Sequence, residues 1–171
     1  DTIWVEANPG LVEYNKKNIV FDNGEKIFNY AITDMDSESM DFFVTNNNEC
    51  SSIFKLKEVK TYYPEIVEEK CIKVPCKRMA DLIEEEQIDL KHYNFLTMDI
   101  QGAELQALKS FKDYLKNIDF IYTEVSIEEL YEGCCLHNEI DNFLTEKGFK
   151  QVANKMTTEK WGDAFYVKVK N

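Results

Sequence analysis

Two uninterrupted apolar runs, residues 93–100 (YNFLTMDI) and 119–125 (DFIYTEV), constrain this chain more than any other feature. Each carries a carboxylate near its carboxyl end, and neither alternates polar with apolar, which is how strands buried on both faces read. Between them Leu105, Leu108, Phe111 and Leu115 recur at helical spacing. A strand, a helix and a strand in that order close into a right-handed crossover with the two strands parallel. The chain therefore belongs among α/β proteins, with its strand ends as the place to look for chemistry.

The rest of the sequence extends the same pattern. Residues 3–5 form a short apolar strand, and a polar helix over 11–18 follows the Pro9-Gly10 turn. Strands are expected over 26–33 and 40–45, joined by the acidic turn 34–37, with a loop over 46–52. Residues 55–69 are ambiguous, charged enough for a solvated helix but broken at Pro64. A strand over 71–76 leads into a helix over 78–86, and another helix over 138–147 stops at Gly148. Two closing strands, 149–156 and 164–170, are separated only by a short turn and so form an antiparallel hairpin at the sheet edge. The expected architecture is one α/β domain over 1–171: an open, doubly wound, mostly parallel sheet with an antiparallel C-terminal edge hairpin.

Charge and composition narrow the partners. Twenty Lys and Arg face 32 Asp and Glu, a formal charge of −12, so a phosphate backbone is repelled and nucleic-acid binding is not expected. The apolar runs are strand-length, well short of the roughly 18 residues needed to cross a bilayer, so no membrane association is expected. The opening Asp-Thr-Ile-Trp has no basic leader. Five cysteines, at 50, 71, 76, 134 and 135, make no Cys-x-x-Cys pair, and reduced thiols in a cytoplasmic protein are the simplest reading.

Four acids close four strands: Glu6, Asp34, Asp99 and Glu124. An acid at the end of the first strand can accept both ribose hydroxyls of a nucleoside cofactor, a device that nicotinamide and adenosylmethionine enzymes share; a solvated strand-end acid looks the same. Asp99 lies in Met98-Asp99-Ile100-Gln101-Gly102-Ala103-Glu104, where a strand turns into a helix within three residues. There Asp99, Gln101 or Glu104 can cap the helix, or Asp99 can face the crevice and hold a cation. Glu124 can act as a base or a hydrogen-bonding clamp, and Asp163 can cap a turn or line the crevice. His92 and His137 sit in polar, helix-like surroundings and read as surface residues, while Cys134-Cys135 reads as packing. The six glycines are never closer than 14 residues, so neither a dinucleotide fingerprint nor a P-loop is present, and no two prolines adjoin as an amino-methyltransferase motif requires.

Taken together, Trp4-Val5-Glu6-Ala7-Asn8-Pro9, Ser51-Ser52-Ile53, residues 94–105 (NFLTMDIQGAEL), Ile121-Tyr122-Thr123-Glu124-Val125-Ser126 and Gly162-Asp163-Ala164 resemble the FkbM family of methyltransferases in content, order and spacing. The resemblance spans nearly all 171 residues. It implies a Rossmann-like class I fold and S-adenosylmethionine-dependent methylation of hydroxyl groups on a small-molecule or glycan acceptor, such as a sugar or another natural product. By position, Glu6, Asn8, Ala31, Asp34, Asp99 and Gln101 match the cofactor side, with Glu6 on the ribose, Ala31 and Asp34 beside the adenine, and Asp99 and Gln101 at the sulfonium end. Ser51, Ser52, Glu104, Trp161 and Asp163 match the acceptor side, and Asp99 and Glu124 are the candidate catalytic acids. Family members begin with a central strand and a Gly-Ala-Asn-x-Gly loop, and this chain starts after them. That departure keeps a second reading open, a non-catalytic module or fragment binding a protein partner through its acidic surface. It also leads to the expectation that, if these residues are the whole protein, residues 3–5 pair with residues 93–100 or a partner chain fills the slot between them. A third, weaker reading places Mg²⁺ among Asp99, Glu104 and Glu124. The sequence leaves a homo-oligomer open.

Overall fold

The computed structural model describes residues 2–18 and 25–169. In chain order the elements are β1 (Ile3–Glu6), α1 (Pro9–Asn18), β2 (Lys26–Asn29), β3 (Ala31–Ile32), β4 (Ser39–Thr45), α2 (Val59–Tyr62), β5 (Glu68–Lys77), α3 (Met79–Glu85), β6 (Phe95–Met98), α4 (Glu104–Ser110), β7 (Phe120–Ser126), α5 (His137–Glu146), β8 (Phe149–Met156) and β9 (Trp161–Lys168). The fold is mixed α/β, and its strands form three hydrogen-bonded sheets: β1-β2, β3-β5-β4 and β6-β7-β9-β8. Pairing is parallel for β1-β2, β3-β5 and β6-β7, and antiparallel for β4-β5, β7-β9 and β8-β9.

The strand expected over 26–33 is divided at Tyr30, because its two halves pair in different sheets. At the break the Asn29 amide donates to the carbonyls of Glu6 (2.8 Å) and Ala7 (2.9 Å), closing off the end of β1. The helix signalled by Leu105, Leu108, Phe111 and Leu115 is also divided. Regular α-helix ends at Ser110, Lys112 takes a left-handed φ of 51°, and a short 3₁₀ helix (Lys112–Asn117) follows. The ambiguous stretch 55–69 resolves into α2 and the start of β5. The closing strands form the expected antiparallel hairpin, with β8 at the edge and β9 inside it against β7. Lys170, placed in that strand by the sequence, lies outside the described residues.

One core organises the four-stranded sheet. Leu108, Ile121, Leu144, Ala164 and Tyr166 are fully buried, and Phe111, Leu115, Val125, Ile140 and Phe149 close around them. Each large side chain removed from water here contributes roughly 1.5–3 kcal/mol. These residues come from α4, the 3₁₀ segment that follows it, α5 and one face of the sheet, since Ile121, Thr123 and Val125 alternate with Phe120, Tyr122 and Glu124 along β7.

The opposite face is not covered to the same degree, which corrects the reading of both central strands as buried on both sides. Phe95 is 55% exposed and Tyr122 41%. The rings of Phe95, Phe120 and Phe165 form a ladder on that face, with centroids 6.2–6.4 Å apart. Aromatic side chains shield one another there, which is why an unalternating apolar run is compatible with one open face. β1 pairs with β2 and not with β6, so the direct pairing expected for residues 3–5 does not form among the described residues. No helix of the described residues is long and apolar enough to cross a membrane.

Candidate active site

Strand register brings the acids together. β6 and β7 run parallel with Thr97 opposite Tyr122 and Met98 opposite Thr123, so Asp99 and Glu124 emerge side by side at their carboxyl ends. β9 returns antiparallel with Asp163 directly opposite Glu124. By the two-residue alternation of strands these three acids share the face that carries the phenylalanine ladder, acids at one end and rings at the other.

A strained turn follows β6. Gln101 adopts a left-handed φ of 56° and Gly102 one of 96°. At Gly102 any side chain would meet Cys134, because a Cβ there lies 2.6 Å from the Cys134 Cβ. The turn is held from three sides. Ser52 Oγ donates to the Gln101 carbonyl at 2.7 Å. Glu104 Oε1 accepts from the backbone N–H groups of Ile100 (3.0 Å) and Gly102 (3.3 Å). Cys135 N donates to the Gly102 carbonyl at 3.4 Å. The Gln101 amide then reaches across the strand ends: its Nε2 donates to Asp99 Oδ1 and, at 3.1 Å, to Glu124 Oε2, while its Oε1 accepts from the Tyr131 hydroxyl.

This arrangement sets the protonation of the acids. Burial, followed by the charges of Asp99 and Glu104, pushes Glu124 up to about 9. Burial also raises Glu104 to about 7, against the opposing pull of its backbone hydrogen bonds. Asp99 is raised by burial too, but its contact with Gln101 works the other way. Glu124 is therefore the acid of the pair that holds its proton at neutral pH. Beneath them a cavity of about 10 Å³, room for about one water molecule, is lined by Glu104, Glu124 and Tyr131 among others.

Of the residues singled out from sequence, Asp99, Gln101 and Glu124 are in direct contact, Asp163 stands across from Glu124, and Glu104 supports the turn from below. Ser52, 1% exposed, and Ser51 are occupied structurally: Ser52 holds Gln101 and accepts from Phe54 N, and Ser51 Oγ accepts from Thr45 N. Trp161 opens β9 and its Nε1 donates to the Tyr63 hydroxyl at 3.3 Å. Glu6, Asn8, Ala31 and Asp34 lie on the other sheets and their connections. Glu6 Oε1 accepts from Asn8 N at 2.6 Å, and Asn8 Oδ1 accepts from Gly10 N at 3.0 Å, capping α1 with Pro9 in its first turn. Ala31 is buried in β3, and the Asp34 carbonyl accepts from Arg78 Nε. Mg²⁺ among Asp99, Glu104 and Glu124 is not supported, since the Glu104 carboxylate is turned onto backbone N–H groups. Among the described residues no group of three or more His, Cys, Asp or Glu is gathered to hold a metal ion.

Tyr131 escaped the sequence reading. It lies in an irregular segment, and nothing in Glu128-Glu129-Leu130-Tyr131 signals that its hydroxyl reaches a residue 30 positions away. The vicinal cysteines pack as expected: Cys134 is buried, and burial raises both thiols.

A family profile described as "Methyltransferase FkbM domain" matches residues 2–150. The chain is also similar to the 2-O-methyltransferase NoeI of Sinorhizobium fredii, 33% identical over 115 residues, which cover 63% of this chain and 46% of that enzyme. The chain thus spans about half the length of the curated relative it matches. No solved structure matches it.

Proposed function

Since the chain belongs to the family of methyltransferase FkbM domains, we propose that the protein is an S-adenosylmethionine-dependent O-methyltransferase acting on a hydroxyl of a sugar or natural-product acceptor. The observation that carries this reading is the Asp99–Gln101–Glu124 constellation at the carboxyl ends of two parallel strands. Two adjacent carboxyls, one of which burial keeps protonated at neutral pH, suit a reaction that needs a group to take a proton and a group to donate a hydrogen bond. The 2-O-methyl transfer in the name of the Sinorhizobium enzyme supports a hydroxyl acceptor.

The residues present fit the cofactor. When bound, S-adenosylmethionine supplies an electrophilic methyl group on a sulfonium centre. Glu6 closes β1 with its carboxylate on Asn8 N, where ribose hydroxyls would meet it, and Ala31 in β3 and Asp34 just after it would stand beside the adenine. Asp99 would take the proton that the acceptor hydroxyl's oxygen loses. Glu124, neutral, donates a hydrogen bond to that oxygen and keeps it in place. Most of the acceleration comes from holding the reacting atoms in line. The sheets are read as parts of one doubly wound array, and the parallel pairs β1-β2, β3-β5 and β6-β7 support that reading.

The test is transfer of labelled methyl from S-adenosylmethionine to a panel of sugar and natural-product hydroxyls by the full-length protein. Asp99→Asn is expected to lower kcat by 10²-fold or more, in line with the loss of a general base. Undiminished transfer in that variant rejects the assignment of Asp99.

A further inference from the structure

We infer that Tyr131 is a positioning residue: its hydroxyl fixes which end of the Gln101 amide faces Asp99 and Glu124, and so decides how those two acids share their proton. The inference rests on the proposal that Asp99 and Glu124 are the working pair. Tyr131 is 3% exposed and lies just beyond β7. Its one hydroxyl proton is directed at Gln101 Oε1, with the Cys50 carbonyl 3.3 Å away as the other neighbour.

The amide has one acceptor end and one donor end. With Oε1 committed to Tyr131, both N–H groups point at carboxylates, one at Asp99 and one at Glu124. Reversing the amide would set its oxygen against two acids and leave the Tyr131 hydroxyl facing an N–H group. The Gln101 backbone cannot move to compensate, because Ser52 holds its carbonyl and the turn is packed against Cys134.

The other ionisable groups acting on the pair, Glu104, Asp163 and Glu49, are all acids. Cys50 lies beside Tyr131, and Tyr122 is the remaining phenol on the face that carries Asp99 and Asp163. The oriented amide is thus the neutral donor that makes one negative charge tolerable there. Burial and the surrounding negative charge hold the Tyr131 phenol far above its ordinary range, so it keeps its proton across the working range.

The experiment is a carbon-13 carboxyl titration of the full chain by NMR, assigned with Asp99→Asn and Glu124→Gln. Tyr131→Phe is expected to raise the pair's titration by about one pH unit, because a weakened hydrogen bond to a charged group is worth at least that much. In a Gln101→Met background the same substitution should add nothing. Tyr62→Phe, which removes a hydroxyl bonded to the distant Glu128, should leave the titration unchanged. An unshifted titration in Tyr131→Phe, or a full shift persisting with Gln101→Met, overturns the inference. Should Tyr131→Phe fail to fold, the Gln101 side-chain N–H signals of the unaltered protein decide it: two distinct signals that follow the pair's titration support it, and pH-independent signals overturn it. Methyl transfer that survives Asp99→Asn would remove the catalytic reading while leaving the titration result standing, so the two failures are distinguishable.

Discussion

Gly102→Ala should destabilise this fold strongly. The new Cβ would lie 2.6 Å from the Cys134 Cβ, with Tyr131 Cδ2 at 3.5 Å and Phe54 Cδ2 at 3.6 Å closing the other directions. Ordinary contacts between such carbons are about 3.5–4.0 Å, so the chain must open by about 1 Å, and both sides of the contact are fixed by the backbone. Overpacking of that kind costs about 1–3 kcal/mol. A non-glycine residue at φ 96° adds about 1–3 kcal/mol of backbone strain. The sum, about 2–6 kcal/mol, is a large part of the roughly 5–15 kcal/mol that holds a domain together. Urea unfolding followed by circular dichroism measures it. Cys134→Gly should relieve the steric half but not the strain, so the double variant should show a favourable coupling of about 1–3 kcal/mol. A Gly102→Ala protein within 0.5 kcal/mol of the original would refute the reasoning, since the turn would then have room the structure does not show.

Other consequences can be checked as directly. Because Glu124 and Glu104 have folded-state values of about 9 and about 7 against 4.5 when unfolded, the folded state holds more protons between those limits, and stability should fall as pH rises from about 4.5 to 9; Glu124→Gln should flatten the upper part of that decline in thermal melts recorded across pH. Glu104→Ala leaves the Ile100 and Gly102 N–H groups without their acceptor, and each should cost about 1–3 kcal/mol in urea unfolding. Asn8→Ala removes the cap of α1 and should cost about 1 kcal/mol by the same measure, with no change in the carboxyl titration. Glu6→Ala should weaken S-adenosylhomocysteine binding about tenfold or more in calorimetry on the full-length protein, and unchanged affinity would remove Glu6 from the cofactor site.

Local pattern carried the sequence reading a long way. The helical spacing of Leu105, Leu108, Phe111 and Leu115, the apolar runs on either side, and Gly148 as a helix stop all depend on neighbours within a few residues, and the elements they announce are present. The acids at strand ends were also legible, because β6 and β7 are joined by one crossover and parallel neighbours put equivalent ends side by side. What the sequence did not determine is where each hydrogen bond goes. The strand over 26–33 divides because its halves find different partners, a matter of pairing between distant segments. Glu104 reads in sequence as a cap or as an acceptor-side acid, and Ser51 and Ser52 as acceptor-side residues; tertiary packing sets hydrogen bonds of all three against backbone amides and carbonyls. Tyr131 is silent in sequence because an irregular segment has no period from which to predict its direction. Only the closing of that segment over the Gln101 turn brings its hydroxyl to the amide, and only tertiary packing supplies the burial and the neighbouring acids that hold a proton on Glu124 at neutral pH.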